Sequence, residues 1–307
     1  EGIFNGNVEI VNNYDWFCGY EFLDFLRDFG KYINVNYMLD KDIIRRRLES
    51  GITYAEFSYT LIQGYDFLRL YQNKNCVLQA AGSDQWGNIT TGIDLIRKIL
   101  GKEAYGFTMP LILDSTGKKF GKSEGNALWL DEDKTSSYEL YQYLINTDDS
   151  KVYEYLKVFT FLTPEEIDNI MDEHSKTPEK RIAQKKLAEC VISDLHGEES
   201  YQNAVKISES LFNGDIKSFS KKDIEVAFKG LDVFNVETDL NIVDLLVNSG
   251  TCSSKREARE FVANGSITLN GEKVTDLDFV LTREKCIENT YIVIRRGKKK
   301  YFIGQYR

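Results

Sequence analysis

Apolar positions recur at helical spacing over the first hundred residues, with one short interruption. The pattern predicts helices at 21–29, 41–49, 53–71 and 89–100. Between the last two, an apolar run at 76–80 predicts a buried parallel strand, and small residues at 82–87 predict a turn. Another strand is predicted at 111–113. Strand, turn and helix in this order form part of a βαβ unit, whose ligands bind at the carboxyl ends of its strands.

The pattern changes character twice beyond residue 135. Helical spacing alone continues to 212, which predicts an all-α domain with helices at 137–145, 152–161, 164–173, 178–195 and 197–211. Residues 213–238 are interpreted as a loosely structured connector. The last segment predicts two short helices, at 243–247 and 255–263, and two hairpins, at 267–274 around Asn270-Gly271 and at 291–303 around a basic turn.

Composition excludes few classes of protein. The chain has 307 residues, of which 42% are hydrophobic and 28% charged, as in ordinary globular proteins. No apolar run approaches the ~20 residues that span a bilayer, and we expect a cytoplasmic protein without membrane association. The five cysteines are scattered and only two histidines are present, so reduced, buried thiols are expected and a protein-bound metal is not.

Charge is distributed unevenly along the chain. The net charge is −9, yet residues 240–307 hold 12 Lys and Arg against 8 Asp and Glu. A basic tail on an acidic body indicates either contact with a polyanion or a tail that only improves solubility. Composition leaves these two interpretations equally open.

Three groups of polar residues are candidates for chemistry. Lys119 and Lys122 lie in a Gly-containing loop that can close over phosphates, although similar loops are common on surfaces. Asp84 and Gln85 follow the predicted strand 76–80, where the alternative is a simple helix-capping role for Ser83 or Asp84. A third group, Tyr59, Gln63 and Asp66, shares one helix face that suits a ligand with an ammonium group, or an ordinary half-exposed face.

In the tail, the predicted helix 255–263 begins with Ser253-Ser254-Lys255-Arg256-Glu257-Ala258-Arg259 and precedes a hairpin. A small unit of two helices and a hairpin with a basic helix face can follow an RNA backbone through phosphate contacts.

Four motifs in a fixed order make these signals specific. They are Asn12-Asn13-Tyr14-Asp15-Trp16, then Tyr59, Gln63 and Asp66, then Gly82-Ser83-Asp84-Gln85-Trp86-Gly87-Asn88, then Lys119-Phe120-Gly121-Lys122-Ser123. The set resembles bacterial-type tyrosyl-tRNA synthetase, a class I aminoacyl-tRNA synthetase. The last motif is similar to the class I signature K-M-S-K-S, with Phe120 and Gly121 at its centre. The tail is similar to an S4-type RNA-binding domain.

The resemblance implies a domain plan. A Rossmann-like α/β catalytic portion is expected at 1–135, an α-helical anticodon-arm domain at 136–212, the connector at 213–238 and an S4-like α+β domain at 239–307. It also implies a homodimer whose interface lies in the catalytic domain, with residues 17–57 as the part present here.

The resemblance also implies roles for individual residues. Tyrosine would be bound by Tyr59 and Gln63 at its ammonium group, by Asp66 at its phenol, by Gln79 near its carboxylate and by Gln85 at its carbonyl. Asp84 would bind the ribose of the adenylate, and Lys119, Lys122 and Ser123 would act on the ATP phosphates, with Mg²⁺ entering on the triphosphate. Phosphates of tRNA(Tyr) would be contacted by Lys255, Arg256, Arg259, Arg295, Arg296, Lys298, Lys299 and Lys300.

One expected motif is missing. Class I enzymes carry an H-x-G-H type motif in the first half of the catalytic fold, whereas the only histidines here are His174 and His196. The sequence therefore predicts a family member that lacks its N-terminal half-site and is inactive as this 307-residue stretch. Two alternatives remain: a synthetase-like RNA-binding protein without catalysis, and a tryptophan-type class I enzyme, which lacks an S4 tail.

Overall fold

The computed structural model describes residues 8–118, 120, 122–123, 126–297 and 300–307, with only the backbone for residues 42, 43, 122, 123 and 126. Two compact units follow each other along the chain, residues 3–123 and residues 124–307.

The first unit is mainly helical around one pair of parallel strands. Its helices are α1 (Tyr14–Phe17), α2 (Phe22–Asp28), α3 (Val35–Leu39), α4 (Asp42–Leu48), α5 (Tyr54–Lys74) and α6 (Trp86–Leu100). Its strands are β1 (Leu78–Gly82), β2 (Tyr105–Met109) and β3 (Lys122–Ser123). The long helix α5 begins at a capping box, in which Thr53 and Glu56 each bond the other's backbone N–H, and ends where Asn75 adopts a left-handed φ of 54°.

Strands β1 and β2 pair in parallel, with Leu78 opposite Tyr105 and Gly82 opposite Met109. Helix α6 connects them, which completes the expected βαβ unit. The second strand lies at Tyr105–Met109 and not at 111–113, where the structure contains no strand, so that prediction was wrong. The apolar side chains of β2 alternate with polar or small ones, and so short an alternation is a weaker strand signal than a continuous apolar run.

Helices α5 and α6 approach each other closely because glycines face each other at their contact. A Cβ on Gly64 would lie 2.8 Å from Cγ2 of Thr91, and one on Gly92 would lie 2.8 Å from Cβ of Phe67. Both distances are shorter than side chains tolerate, so the observed spacing requires glycine at both positions. The contact leads into a core of Tyr65, Phe67, Leu68 and Ile96, against which Trp16 packs.

The second unit begins with a helical bundle. It contains the short strand β4 (Asn126–Ala127), then α7 (Ser137–Ile145), α8 (Asp149–Phe159), α9 (Pro164–Lys176), α10 (Ile182–His196) and α11 (Glu198–Asn213). Helix α10 is central and packs against α7, α8, α9 and α11. These helices agree with the predicted ones, apart from an earlier start of α8 and a short 3-10 turn, Pro178–Lys180, before α10.

The segment 213–238 is not a loose connector, and that prediction was wrong. It contains a helix, α12 (Lys221–Ala227), and a strand, β5 (Val233–Val236). Ser220 and Asp223 form a capping box at the start of α12. Ile216, Phe219 and Ile224 are buried in one cluster with Ile207 of α11, so the segment is part of the unit's core.

The C-terminal part is built on a five-stranded sheet in the order β5–β11–β10–β7–β8. After the short strand β6 (Leu240–Asn241) come α13 (Ile242–Asn248), α14 (Lys255–Ala263), β7 (Ile267–Leu269), β8 (Glu272–Lys273), β9 (Val280–Leu281), β10 (Tyr291–Arg296) and β11 (Lys300–Tyr306). Buried residues of α13 and α14 pack with Ile292 and Ile294 of β10 on one side of this sheet.

On the other side of the sheet, Val293 and Ile303 belong to the cluster that contains Ile207 of the helical bundle. Bundle and sheet therefore share a core. Within the described part of the chain, none of the helices has the length and apolar character needed to cross a membrane.

Candidate active site in the first unit

A tight turn connects β1 to α6 and carries two of the candidate residues. Ser83–Gln85 form a short 3-10 helix, and Gln85 is the N-cap of α6 without a capping hydrogen bond from its side chain. A Cβ on Gly82 would lie only 2.9 Å from Oδ1 of Asp84, so glycine lets the carboxylate fold back over the strand end. The N-cap position of α6 is thus occupied by Gln85, and not by Ser83 or Asp84.

Asn88 connects two candidate residues that lie on different elements. Its Nδ2 donates to Oε1 of Gln63 on α5 and to Oε1 of Gln85 in the turn, each at 3.0 Å. Asn88 is only 6% exposed. The structure thus brings together Gln63 and Gln85, which the sequence separates by 22 positions.

The expected polar face of α5 is present, and its members differ in environment. Tyr59 is 57% exposed, whereas Gln63 and Asp66 are half-buried. Oδ1 of Asp66 accepts a hydrogen bond from Nε1 of Trp16 at 2.9 Å. Burial raises the pKa of Asp66 above its usual range, and the hydrogen bond from Trp16 opposes that shift only in part.

Gln79 lies on β1, and its Oε1 is buried without a hydrogen-bond partner among the residues that the structure describes. A buried acceptor left unpaired is destabilising, and a bound molecule that donates a hydrogen bond relieves the penalty.

Asp84 lines a cleft that also contains three cations. Its other lining residues are Tyr37, Asp40, Lys41, Arg46, Arg47, Ser83, Trp86, Gly87, Thr90 and Leu111. Lys41 is 8% exposed, and its ammonium donates to the carbonyl oxygen of Gly87 at 2.5 Å and lies 4.2 Å from the ring centroid of Tyr37. The Lys41 ammonium therefore binds the first turn of α6 from the side of the cleft. Arg47, another cation of the cleft, forms an ion pair with Glu56 at 2.9 Å.

The candidate phosphate loop is described only in its first half. Oδ1 of Asp114 accepts from the backbone N–H of Thr116 at 2.8 Å and of Lys118 at 2.9 Å, and Phe120 N–H donates to the carbonyl of Ile112 at 3.0 Å. The hydrogen bond from the Thr116 hydroxyl holds the pKa of Asp114 below its usual range. Lys119, and the side chains of Lys122 and Ser123, lie outside the described residues.

The tail candidates differ in how available they are to RNA. Arg256 and Arg259 are exposed on α14, and Lys300 is exposed at the start of β11. Lys255 is exposed as well and forms an ion pair with Asp244 at 2.6 Å. Lys298 and Lys299 lie outside the described residues.

Two arginines of this group are half-buried and held inside the second unit. Arg296 donates to the carbonyl of Thr251 at 2.6 Å, lies 3.6 Å from Glu257 and stacks over Phe261. The guanidinium of Arg295 lies against Gly214, where an added Cβ would be 3.2 Å from it. Both side chains have structural contacts that the sequence did not indicate.

The thiols are less uniformly buried than expected. Cys252 and Cys286 are buried, Cys76 and Cys190 are half-buried, and Cys18 is exposed. The prediction of buried thiols was therefore wrong for Cys18. Among the residues that the structure describes, no cluster of three or more His, Cys, Asp or Glu could hold a metal ion.

Three residues of the site were not recognised as functional from the sequence: Asn88, Trp16 and Lys41. Asn88 and Trp16 lie in quoted motifs, but nothing in their spacing shows that they contact Gln63 or Asp66. Lys41 was interpreted only as part of a charged helix. A lysine before an apolar turn of helix carries no signal for burial, because lysine side chains are mostly exposed.

Two family models cover most of the chain. Residues 1–213 match the model described as tRNA synthetases class I (W and Y), and residues 223–304 match the tyrosine–tRNA ligase SYY-like C-terminal domain. The second match separates the tyrosine from the tryptophan branch, because it names the tyrosine enzyme alone.

Curated relatives agree with the family models. The chain is 51% identical over 300 residues to the tyrosine–tRNA ligase of Streptococcus agalactiae serotype Ia, and 54% identical over 304 residues to that of Bacillus pumilus. Each alignment covers 97% of this chain and 72% of the relative.

Solved structures also agree. The mitochondrial tyrosyl-tRNA synthetase of Coccidioides posadasii, C-terminally truncated, matches with a TM-score of 0.54 at 36% identity, over 64% of this chain and 56% of its own. The Aspergillus nidulans counterpart matches with a TM-score of 0.55 at 34% identity, over 69% of this chain and 62% of its own. The chain therefore belongs to the tyrosyl-tRNA synthetase family, within the class I tRNA synthetases.

Proposed function

We propose that this chain is part of a tyrosine–tRNA ligase, which activates L-tyrosine with ATP and transfers it to tRNA(Tyr). One observation carries the proposal: the relatives that bear this name align with 97% of the chain, across both units. The alternative of a tryptophan-type enzyme loses support, because residues 223–304 match a domain of the tyrosine enzymes.

Residues of α5 and the β1 turn bind the amino acid in this proposal. Tyr59 and Gln63 bind the ammonium group of tyrosine, and the Asp66 carboxylate accepts a hydrogen bond from the phenol hydroxyl. Gln85 donates to the carbonyl of the amino acid, and Gln79 lies near its carboxylate side. The buried Oε1 of Gln79, which has no hydrogen-bond partner within the described part of the chain, supports a bound polar group nearby.

Activation is an in-line displacement at the α-phosphorus of ATP. A carboxylate oxygen of tyrosine forms the new P–O bond, the bond to the leaving pyrophosphate breaks, and no proton needs to be removed from the ammonium or carboxylate groups. Catalysis therefore rests on positioning and on charge stabilisation. Asp84 binds the ribose, and Lys119, Lys122 and Ser123 act on the phosphates of the substrate Mg·ATP.

The second unit binds the tRNA. Arg256 and Arg259 are exposed along one short helix, and this supports them as phosphate contacts together with Lys255, Lys298, Lys299 and Lys300. Arg295 and Arg296 orient the sheet that carries them, because their guanidinium groups contact Gly214 and Thr251.

The expected domain plan belongs to this proposal: a Rossmann-like portion to 135, an anticodon-arm domain at 136–212 and an S4-like domain at 239–307. A cytoplasmic homodimer is part of it as well, with the interface in 17–57. Phe22 and Leu23 are exposed apolar residues within that segment, which supports it as a contact surface.

The test is tyrosine-dependent exchange of pyrophosphate into ATP by the full-length product of the gene that encodes this chain. We expect exchange in the wild type, a strong rise of KM for tyrosine in Asp66→Ala, and a nearly unchanged KM for ATP. Lys122→Ala is the complementary variant, and we expect a lower kcat with little change in tyrosine affinity.

Two results contradict the proposal. Tryptophan-dependent exchange without tyrosine-dependent exchange indicates the tryptophan branch. Tight binding of tRNA(Tyr) with no exchange for either amino acid indicates an RNA-binding protein without catalysis.

A further inference from the structure

Asn88 occupies an unusual position for a polar side chain. It is 6% exposed, it lies in the first turn of α6, and its single amide nitrogen donates to two glutamines. A carboxamide nitrogen carries two hydrogens, so one hydrogen serves each glutamine. The pair of bonds uses the whole donor capacity of Asn88.

The packing of α5 on α6 explains why so short a side chain reaches Gln63. Gly64 follows Gln63 on α5, and Gly92 lies one turn beyond Asn88 on α6. Their missing side chains let the helices approach until a Cβ on Gly64 would lie 3.2 Å from the backbone nitrogen of Gly92. The network therefore depends on the closest part of the helix contact and is held rigidly by it.

The two hydrogen bonds determine which end of each glutamine amide faces away from Asn88. Oε1 of Gln63 and Oε1 of Gln85 both point at Asn88, so the Nε2 groups point elsewhere. Gln85 lies in the short 3-10 turn after β1 and can therefore donate from Nε2 to a ligand bound at that strand end. Oε1 of Gln63 keeps one lone pair for an ammonium group.

We propose that Asn88 is a positioning residue for tyrosine recognition: it fixes the amide orientation of Gln63 and Gln85 together, so that Gln85 presents a donor to the carboxyl group of the substrate. The inference rests on the proposed function and adds to it the residue that sets the polarity of the amino-acid site. Asn88 itself does not touch the substrate.

The decisive variant is Asn88→Asp, which keeps the shape and reverses the hydrogen-bonding. A carboxylate only accepts hydrogen bonds, so each glutamine must turn its Nε2 toward Asp and its Oε1 toward the substrate. An oxygen then faces the tyrosine carboxylate. We expect the Kd for L-tyrosine to rise about 10- to 100-fold, as for the loss of one hydrogen bond to a charged group.

Asn88→Ala separates orientation from packing. Without Asn88 both amides can rotate, and the correct orientation stays accessible, so we expect a smaller loss of tyrosine affinity than in Asn88→Asp. A residue that serves only to fill space gives the opposite order, because Asp is nearly isosteric with Asn and Ala leaves a cavity.

The measurements are equilibrium dialysis of L-tyrosine and pyrophosphate exchange, both with the full-length gene product. In a Gln85→Ala background, the effect of Asn88→Asp should shrink by about tenfold, since the reversed donor is already gone. KM for ATP should change by less than about twofold, because the substitution affects tyrosine binding alone. Arg97→Gln is the matched control on α6: it removes an exposed side chain that pairs with Asp94 at 2.5 Å, and tyrosine affinity should not change.

Failure of the inference can be told apart from failure of the proposed function. A wild-type protein without tyrosine-dependent exchange contradicts the function. A working wild type in which Asn88→Ala is the more damaging variant, or in which Asn88→Asp acts equally with and without Gln85, overturns the role of Asn88 alone.

Discussion

Trp16 and Asp66 are joined by a hydrogen bond of 2.9 Å from the indole nitrogen to the carboxylate, across 50 residues of chain. The bond places a residue of the N-terminal motif against the helix face that carries Tyr59 and Gln63. It also provides a donor to a carboxylate whose pKa burial raises. The hydrogen bond from Trp16 thus fixes the position of the Asp66 carboxylate, whereas burial destabilises its charged form.

That penalty predicts the effect of Asp66→Asn on stability. Because the folded pKa of Asp66 lies above the unfolded one, the folded state binds more protons between the two values, and stability falls as pH rises through this window. Above the folded pKa, the free-energy cost of burying the ionised carboxylate no longer changes with pH. The Asn side chain keeps an oxygen for Trp16 and has no charge to desolvate.

We therefore expect the unfolding free energy of Asp66→Asn to exceed that of the wild type at pH 7, with a smaller difference near about pH 4, close to the unfolded value. Urea unfolding at both pH values measures this. A difference that decreases as pH rises contradicts the prediction, since the carboxylate would then be stabilising. Tyrosine binding should weaken in the same variant, which separates stability from recognition.

The contact between Gly92 and Phe67 predicts a second effect on stability. In Gly92→Ala the new methyl group would lie 2.8 Å from Cβ and Cδ1 of Phe67, and α5 and α6 must move apart to relieve this. We expect a loss of about 1–3 kcal/mol in the free energy of unfolding, as for other overpacked cores. Tyrosine affinity should fall as well, because the bond between Asn88 and Gln63 depends on the same spacing.

Gly30→Ala is the matched control. A Cβ there would lie 3.4 Å from Cδ2 of Leu26, an ordinary contact, so stability should stay within about 0.5 kcal/mol of the wild type. Equal losses in the two variants would show that the helix contact at Gly92 has no special tightness.

The sequence predicts an element well where its physical signal is strong. Helix α14 was predicted with its observed bounds, 255–263, because an amphipathic pattern coincides with an N-cap serine, Ser254. Strand β2 was missed because its alternating pattern is short and weak. The segment 213–238 was misinterpreted because its helix and strand are each shorter than a window that shows periodicity.

Local pattern alone could not reveal the contacts of the candidate site. The face shared by Tyr59, Gln63 and Asp66 follows from helical geometry, whereas the bond from Asn88 to Gln63 depends on how closely two helices pack. That distance is determined by Gly64 and Gly92, and glycines inside helices have no single meaning in a sequence. The partners of Arg296 depend on tertiary contacts in the same way.

Thiol reactivity gives a prediction that is independent of the site. Burial raises the pKa of Cys286 to about 11, and burial also raises the pKa of Cys252. Both therefore stay protonated near neutral pH, and the thiolate is the reactive form. Brief treatment with iodoacetamide, followed by peptide mass spectrometry, should modify the exposed Cys18 first and leave Cys252 and Cys286 intact.

Denaturant supplies the control for this experiment, since all five cysteines should react once the chain is unfolded. Rapid native labelling of Cys286 would contradict its burial under β10 and α13.

Exposed arginines on α14 predict the salt dependence of RNA binding. Each phosphate contact releases condensed counterions, so the logarithm of the association constant falls with the logarithm of salt concentration by about 0.7–0.9 per contact. Substituting both Arg256 and Arg259 with Gln removes two contacts. We expect weaker binding of tRNA(Tyr), and a salt slope that is less steep by about 1.4–1.8, twice the value for one contact.

Lys102→Gln serves as the matched control, since Lys102 is exposed in the first unit and is not among the proposed phosphate contacts. Filter binding at four or more salt concentrations gives both slopes. If the wild type has a steep salt slope and the double variant has the same slope, the phosphate contacts belong to other cations of the tail.

The variant Arg296→Gln should behave differently from both the double variant and Lys102→Gln. Its guanidinium holds the carbonyl of Thr251, so the variant should lose thermal stability while keeping the wild-type salt slope.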